Sequence, residues 1–229
     1  MIPIWHDGGL AALPVSFFGP VAWSVDIEGM AADRALTTVQ ARADDLADAA
    51  RRSNGAVSLV RRRLARALIA RLADCHPDEV RISRSAEGAP IVTAPHGWHL
   101  SVSGHGRHCL IGLARVPIGV DMELTGDVDL LDDPIWDMMT FAEVDALRIL
   151  SAAESRLEWV RRWTAKEAHA KLIGSTRRID PACIETTPQG RDIILCNFEG
   201  RSLCWNRRTN QGLEAMAIWD SQFSEHGQA

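Results

Sequence analysis

The residues of this chain that could carry out chemistry are concentrated in two short segments. Residues 119–123 read GVDME, and residues 163–172 read WTAKEAHAKL. The second segment holds both lysines of the chain, whereas the other 23 basic residues are arginine. Lysine in so arginine-rich a chain suggests a need for a compact ammonium charge that the broad guanidinium cannot replace. Three carboxylates with two ammonium groups are the components of a metal-assisted phosphate site.

The two acids of the first segment are predicted to act as a pair. On a strand, Asp121 and Glu123 point to the same face, because successive side chains alternate. Neighbouring carboxylates repel each other unless a cation lies between them. The pair therefore predicts a site for a hard metal ion such as Mg²⁺, with Glu167 as the third ligand. The alternative is that both acids face solvent from an edge strand.

The second segment is predicted to be helical, and its spacing separates the two lysines. Glu167 and Lys171 are four residues apart and share a helix face. Lys166 and Lys171 lie about 140° apart around a regular helix, so they cannot both point at one atom. We expect Lys171 to contact a metal-bound phosphate and Lys166 to approach from the flank. The alternative is an exposed Glu–Lys pair that contributes only ~0.3–0.5 kcal/mol to stability.

Hydrophobic periodicity predicts the elements that position these segments. The predicted helices span about residues 31–50, 60–72, 134–150 and 153–172. The predicted strands span residues 21–28, 193–196, 203–205 and 215–219, and residues 80–124 are expected to form strands and turns. Helices and strands occur in both halves without a long linker. We therefore predict an α+β fold of two similar halves, residues 1–115 and 116–229, packed side by side.

Composition restricts the class of protein. The 229 residues carry a formal net charge of -5, which disfavours nonspecific binding to nucleic acid. No run of ~18 uninterrupted apolar residues occurs, so no membrane span is expected, and no signal peptide is predicted at the first residues. The five cysteines form no C-x-x-C pair, and we interpret them as reduced thiols of a cytoplasmic protein.

Together and in this order, the two segments resemble the paired signature of the 4′-phosphopantetheinyl transferases, G-[IV]-D-x-E followed by W-[ST]-x-K-E-[AS]-x-x-K. The length is similar to that of the large bacterial type, which modifies peptide and polyketide synthetases in secondary metabolism. The resemblance implies an active site at the interface of the two halves. It also implies a monomer, because two fused halves would form the site without a second chain.

The resemblance implies the reaction and the partners. Family members use Mg²⁺ and coenzyme A to transfer the phosphopantetheine arm to a serine of an apo acyl or peptidyl carrier protein, releasing adenosine 3′,5′-bisphosphate. The implied metal ligands are Asp121, Glu123 and Glu167. Lys171 and Lys166 would stabilise the charge that builds on the phosphate. Glu167, or Glu143 through a water, would accept the serine proton; Glu143 falls at the start of the helix that docks the carrier in the family.

The coenzyme A contacts depart from the family pattern. Arg66 falls where the family keeps a phosphate-binding arginine. Residues 88–90 read GAP where Gly-Lys-Pro is usual, and residues 103–106 read SGHG where Ser-His-Ser-Gly is usual. The histidine expected to reach the 3′-phosphate, His105, is thus displaced by one position after Ser103, and Arg107 is a possible substitute. We predict an intact metal centre with a modified 3′-phosphate pocket.

Other classes of function remain as alternatives. Four histidines and a cysteine within residues 96–109 raise the possibility of a zinc-binding module. A noncatalytic relative that only binds carrier proteins is a second alternative. A third is another Mg²⁺-dependent phosphoryl or nucleotidyl enzyme, although neither a P-loop nor a G-x-G-x-x-G motif is present.

Overall fold

The computed structural model describes residues 2–13, 19–124, 133–174, 178–210 and 212–221. The chain divides into two compact units, Met1–Val116 (unit 1) and Pro117–Ala229 (unit 2). Each unit combines helices with an antiparallel or mixed sheet, so the predicted α+β class is confirmed. Within the described residues, none of the helices has both the length and the apolar character that a membrane crossing requires.

Unit 1 is built on a four-stranded sheet and a separate hairpin. Its strands are β1 (Ile4–His6), β2 (Val21–Asp26), β3 (Arg81–Arg84), β4 (Pro90–Ala94), β5 (His99–Ser103) and β6 (His108–Ala114). The larger sheet has the order β1-β2-β6-β5, and β3 pairs with β4. The helices are α1 (Met30–Thr37), α2 (Ala43–Ala50) and α3 (Gly55–Ala73), with short 3₁₀ helices at Leu10–Ala12 and Pro77–Glu79.

The predicted helical stripe of α3 is confirmed, whereas the helix predicted over residues 31–50 is wrong. Leu64, Leu68 and Leu72 are buried in the core of unit 1. The segment between α1 and α2 is instead not helical, because other side chains satisfy the hydrogen-bonding groups of its backbone. The guanidinium of Arg63 donates to the carbonyl groups that end α1, and the Asp45 carboxylate accepts the backbone N–H of Arg42 to begin α2.

Unit 2 is a five-stranded antiparallel sheet with one long helix packed against it. Its strands are β7 (Gly119–Leu124), β8 (Glu185–Pro188), β9 (Ile193–Asn197), β10 (Arg201–Arg208) and β11 (Gly212–Trp219), in the order β7-β11-β10-β9-β8. The helices are α4 (Phe141–Arg148) and α5 (Ala152–Ile173), with 3₁₀ helices at Asp133–Met138 and Pro181–Cys183. The three predicted tail strands correspond to β9, β10 and β11. Strand β8 was missed because its four residues, ETTP, carry no apolar alternation.

The close approach of α5 to β7 is what positions the two chemical segments. A Cβ atom at Gly119 would lie 1.9 Å from the carbonyl oxygen of Ala168, so only glycine allows this packing. The helix is well terminated, because Ser151 and Glu154 form a capping box at its start and Gly174 ends it with φ 87°. The GVDME strand and the WTAKEAHAK helix are therefore held face to face.

Candidate active site

An ion pair joins the two chemical segments. The Nζ atom of Lys171, in the last turns of α5, lies 2.6 Å from Oδ1 of Asp121 in the middle of β7. Asp121 is only 4% exposed although β7 is an edge strand, so the alternative of a solvent-facing acid is wrong for this residue. The ammonium is partly accessible, since 22% of the Lys171 side chain is exposed. A strand carboxylate and a helix ammonium thus meet directly, whereas the sequence predicts a phosphate as the partner of Lys171.

Glu167 lies one helical turn before Lys171 in an environment that disfavours its charge. The pKa of Glu167 is raised from its ordinary value of 4.5 to about 7, chiefly by burial and next by the negative charge of Asp121. The positive charge of Lys171 lowers the pKa of Glu167, whereas the negative charge of Glu123 raises it. The three carboxylates therefore act on one another electrostatically, and one ammonium compensates only part of their repulsion.

Glu123 is oriented by a hydrogen bond from a tryptophan side chain. The indole N–H of Trp163 donates to Oε1 of Glu123 at 2.9 Å. The Trp163 ring stacks on Trp159 with ring centroids 5.7 Å apart, and the Trp159 N–H donates to the carbonyl of Ile135. The sequence alone does not reveal this hydrogen bond to Glu123, because it depends on how β7 packs against α5.

The donor set suits a hard divalent ion, although it does not form a closed cage. Within the part of the chain that the structure describes, no group of three His, Cys, Asp or Glu side chains is placed to hold a metal ion. Mg²⁺ commonly takes only one or two protein carboxylates and fills its other positions with water and phosphate oxygens. Burial first, and the charge of Asp121 second, disfavour the charged form of Glu167. Asp121, Glu123 and Glu167 therefore offer the oxygen ligands that Mg²⁺ prefers, of which one or two would coordinate an ion completed by substrate.

The structure does not bring Lys166 to this cluster. Its side chain is fully buried, and its Nζ atom lies 2.6 Å from Oε2 of Glu143. The same ammonium donates to the carbonyl groups of Met138 and Pro181 at 3.1 and 3.0 Å. The prediction that Lys166 approaches a phosphate from the flank is thus corrected. Because it lies about 140° around α5 from Lys171, it points into the core of unit 2.

Glu143 also has a structural role. Its carboxylate accepts the backbone N–H of Thr140 at 2.8 Å, which caps α4, and the backbone N–H of Thr186 at 2.8 Å. The hydroxyl of Thr186 donates to the same carboxylate. Glu143 is only 2% exposed, and hydrogen bonds from the protein reach both of its carboxylate oxygens. Its expected role in removing the serine proton is unsupported, and with Lys166 it instead connects α4, α5 and β8.

In unit 1, Arg66 is also placed differently from the prediction. Its guanidinium is 1% exposed and donates to Asp45 at 2.6 Å and to the carbonyl groups of Gln40 and Pro77. A guanidinium so enclosed is not available to a phosphate. The prediction of a phosphate contact at Arg66 is therefore corrected, because Asp45, a residue whose position the sequence did not reveal, neutralises it.

The remaining predicted coenzyme contacts lie at the turn between β5 and β6. Ser103 ends β5 and is half-buried, and His105 is exposed in the turn, where its backbone pairs with His108. Arg107 is exposed but donates to both carboxylate oxygens of Asp26, and this bond lowers the pKa of Asp26. The structure thus groups Ser103, His105 and Arg107 at one turn. Sequence reasoning missed Arg61, which lies under the same turn.

The zinc alternative gains no support. His99 begins β5 opposite Ala114, whereas His108 begins β6 opposite Asp26, so the two histidines lie at opposite ends of the hairpin. Cys109 is fully buried, and burial raises its thiol pKa to about 12, which disfavours the thiolate that zinc requires. These side chains are all in the described part of the chain, where no metal-holding group of three is formed.

Comparisons with known proteins agree with the motif assignment. Residues 117–219 match the model of the 4′-phosphopantetheinyl transferase superfamily, so unit 2 carries a domain of that superfamily. The chain is also similar to a solved holo-(acyl-carrier-protein) synthase from Bacillus anthracis str. Ames in complex with CoA (3′,5′-ADP), at 21% identity and a TM-score of 0.40, covering 46% of this chain and 96% of that chain. A search of curated proteins returned no match. The predicted enzyme class, a phosphopantetheinyl transferase, is confirmed.

Proposed function

We propose that this transferase moves the 4′-phosphopantetheine arm of coenzyme A to a serine of an apo carrier protein and releases adenosine 3′,5′-bisphosphate. The observation that carries the proposal is the meeting of Asp121, Glu167 and Lys171 inside the superfamily domain. A charged phosphate anhydride needs positive charge on its oxygens, and this cluster combines an ammonium with carboxylates that can hold a cation.

The proposed metal is Mg²⁺, held by Asp121, Glu123 and Glu167. When bound, it would neutralise the charge that builds on the leaving phosphate oxygen. The protein residues prepare this position before any ion binds. Trp163 fixes one carboxylate by a hydrogen bond, and Glu167 is partly buried beside Asp121 and Lys171.

Lys171 is proposed to bind a phosphate oxygen of coenzyme A. Its flexible stem and partial exposure allow the ammonium to exchange its carboxylate partner, Asp121, for a phosphate. Glu167 is the better candidate to accept the proton of the attacking serine, because it lies in the same cluster as Asp121 and Lys171. Glu143, the other candidate, is enclosed by hydrogen bonds.

The carrier protein is proposed to dock on α4. Phe141 at the start of this helix is 94% exposed, and Ile149, just after its end, is 85% exposed. Large apolar side chains left so open mark a binding surface. The proposed carriers belong to peptide or polyketide synthetases of secondary metabolism. We further propose that the protein is a cytoplasmic monomer of two similar halves with the active site at their interface. Residues 1–115 are proposed to contact the phosphates of coenzyme A. Residues 116–229 are proposed to supply the metal ligands and the catalytic residues.

The deciding experiment is a transfer assay. The protein is incubated with coenzyme A, MgCl₂ and apo acyl and peptidyl carriers, and the carriers are weighed by intact-protein mass spectrometry. A gain of the phosphopantetheine mass that is lost on adding EDTA supports the proposal. Glu167→Gln should abolish the gain, whereas the matched control Glu185→Gln, an exposed acid on edge strand β8, should retain it. Carrier binding without any mass gain would instead identify a noncatalytic relative.

A further inference from the structure

Two buried thiols meet beneath the helix that carries the acidic cluster. Cys196 on β9 and Cys204 on β10 are free cysteines with fully buried side chains, and their Sγ atoms lie 3.4 Å apart. The strand register pairs Cys196 with Ser202 and Cys204 with Ile194, so the two thiols are diagonal neighbours on one face of the sheet. A disulfide needs its sulfur atoms at about 2.05 Å, so the pair is about 1.4 Å from bonding distance.

The thiol pair contacts α5 on either side of Glu167. The Sγ atom of Cys204 lies 3.6 Å from the carbonyl oxygen of Ala165. It also lies 3.5 Å from Oγ of Ser202, which in turn is 2.7 Å from Nδ1 of His169. Ala165 comes two residues before Glu167 in the chain, and His169 comes two residues after it. A displacement of the Cys204 sulfur therefore changes the contacts that hold this part of α5 on the sheet.

We propose that Cys196 and Cys204 form an oxidation site, and that their disulfide lowers the transfer activity of the enzyme. The oxidant is a peroxide. The sulfur of one cysteine attacks the O–O bond, which gives a sulfenic acid and releases one water. The sulfur of the other cysteine then attacks the sulfenic sulfur, so the S–S bond forms and a second water leaves. Two electrons pass from the two sulfur atoms to the peroxide, and a dithiol reductant returns them.

The burial of the pair determines how it reacts and what its oxidation does. Burial raises the pKa of the Cys196 thiol well above its ordinary value of 9.0, so the thiol stays protonated and reacts slowly. Hydrogen peroxide is small enough to enter when β9 and β10 open locally. The approach of the two sulfur atoms then disturbs α5, and a misplacement of about 1 Å near reacting groups costs up to about a hundredfold in rate. This effect on activity rests on the proposed function.

The test combines a peptide map with a transfer assay. The reduced protein is treated with hydrogen peroxide, the excess is removed with catalase, and one portion is digested with trypsin. Cleavage after arginine places Cys196 in the peptide 192–201 and Cys204 in the peptide 202–207. The two peptides should appear linked, with a combined mass lower by two hydrogen atoms. The transfer rate should fall roughly tenfold to a hundredfold, and dithiothreitol should restore it.

Variants identify the thiols that are responsible. Cys196→Ala, which removes one sulfur atom of the pair, should transfer the arm at the wild-type rate and keep that rate after peroxide treatment. Cys109→Ala is the matched control, because Cys109 is a fully buried free cysteine of unit 1. This control should lose activity on oxidation as the wild type does and regain it with dithiothreitol. Cys204→Ala takes the place of Cys196→Ala if that variant does not fold.

The outcomes separate the inference from the proposed function. If peroxide treatment gives no linked peptides 192–201 and 202–207, the inference is refuted whatever the activity. Linked peptides with an unchanged transfer rate also refute it, because the disulfide then has no effect on the site. A reduced wild type that transfers no arm to any carrier refutes the proposed function instead. The peptide map alone then decides whether the two thiols form an oxidation site.

Discussion

The substitution Glu167→Gln should stabilise the metal-free protein at alkaline pH while removing its activity. Glu167 has a pKa of about 7 in the native protein against an ordinary value of 4.5, so the folded state holds its proton more tightly than the unfolded chain. A group of this kind adds stability below pH 4.5, and that stability is lost as the pH rises through 7. Glutamine resembles the protonated acid and has no charge to lose.

The magnitude follows from the two pKa values. Between pH 5 and pH 8 the wild type should lose about 2.5 kcal/mol of unfolding free energy relative to Glu167→Gln. The assay is urea unfolding in EDTA at pH 5, 6, 7 and 8, with the difference between the two proteins taken at each pH. Burial lowers the pKa of His169, which opposes this trend with pH, but the effect is common to both proteins and cancels.

Two controls make the result decisive. Glu185→Gln, which removes an exposed carboxylate, should follow the wild type at every pH. MgCl₂ at pH 8 should stabilise the wild type more than Glu167→Gln, because only the wild type retains all three carboxylates. Parallel curves for the wild type and Glu167→Gln from pH 5 to pH 8 would refute the reasoning that burial and neighbouring charge destabilise this acid.

Three further predictions concern packing and docking. Gly119→Ala should lower the free energy of unfolding by roughly 1–3 kcal/mol or prevent folding, since the new methyl group would meet the Ala168 carbonyl; an unchanged urea midpoint would contradict this. Lys166→Met should cost about 3–5 kcal/mol because it leaves Glu143 buried without its cation, and adding Glu143→Gln should recover part of the loss in the same unfolding assay. Phe141→Ser should raise the KM for the carrier roughly tenfold or more with the KM for coenzyme A unchanged; equal effects on both would exclude α4 as the docking surface.

The acidic cluster illustrates a conflict between stability and function within one helix. Lys171 and Glu167 lie on the face of α5 toward β7, where burial and like charges disfavour the charged form of Glu167. Lys166, five residues before Lys171, satisfies a buried carboxylate and two carbonyl groups. One lysine of the motif thus faces the acidic cluster, and the other connects buried parts of the domain.

What could be predicted from the sequence depended on local periodicity. Alternation along β7 identified Asp121 and Glu123 as neighbours, and the four-residue spacing in α5 identified Glu167 with Lys171. The break between α1 and α2 could not be predicted in this way, because the carbonyl groups that end α1 are satisfied by Arg63, more than twenty residues away. Local propensity describes a segment, whereas its termination here depends on a distant side chain.

By itself, the sequence determined which kinds of groups are present and which of them share a face, because strand and helix periods are properties of consecutive residues. Tertiary structure alone decided which charges are neutralised. Arg66 meets Asp45, Lys166 meets Glu143, and Arg61 meets only carbonyl groups beneath Gly104. The physical reason is that the availability of a charged side chain depends on its solvent exposure and on its nearest opposite charge. Both are set by contacts between residues far apart in the chain.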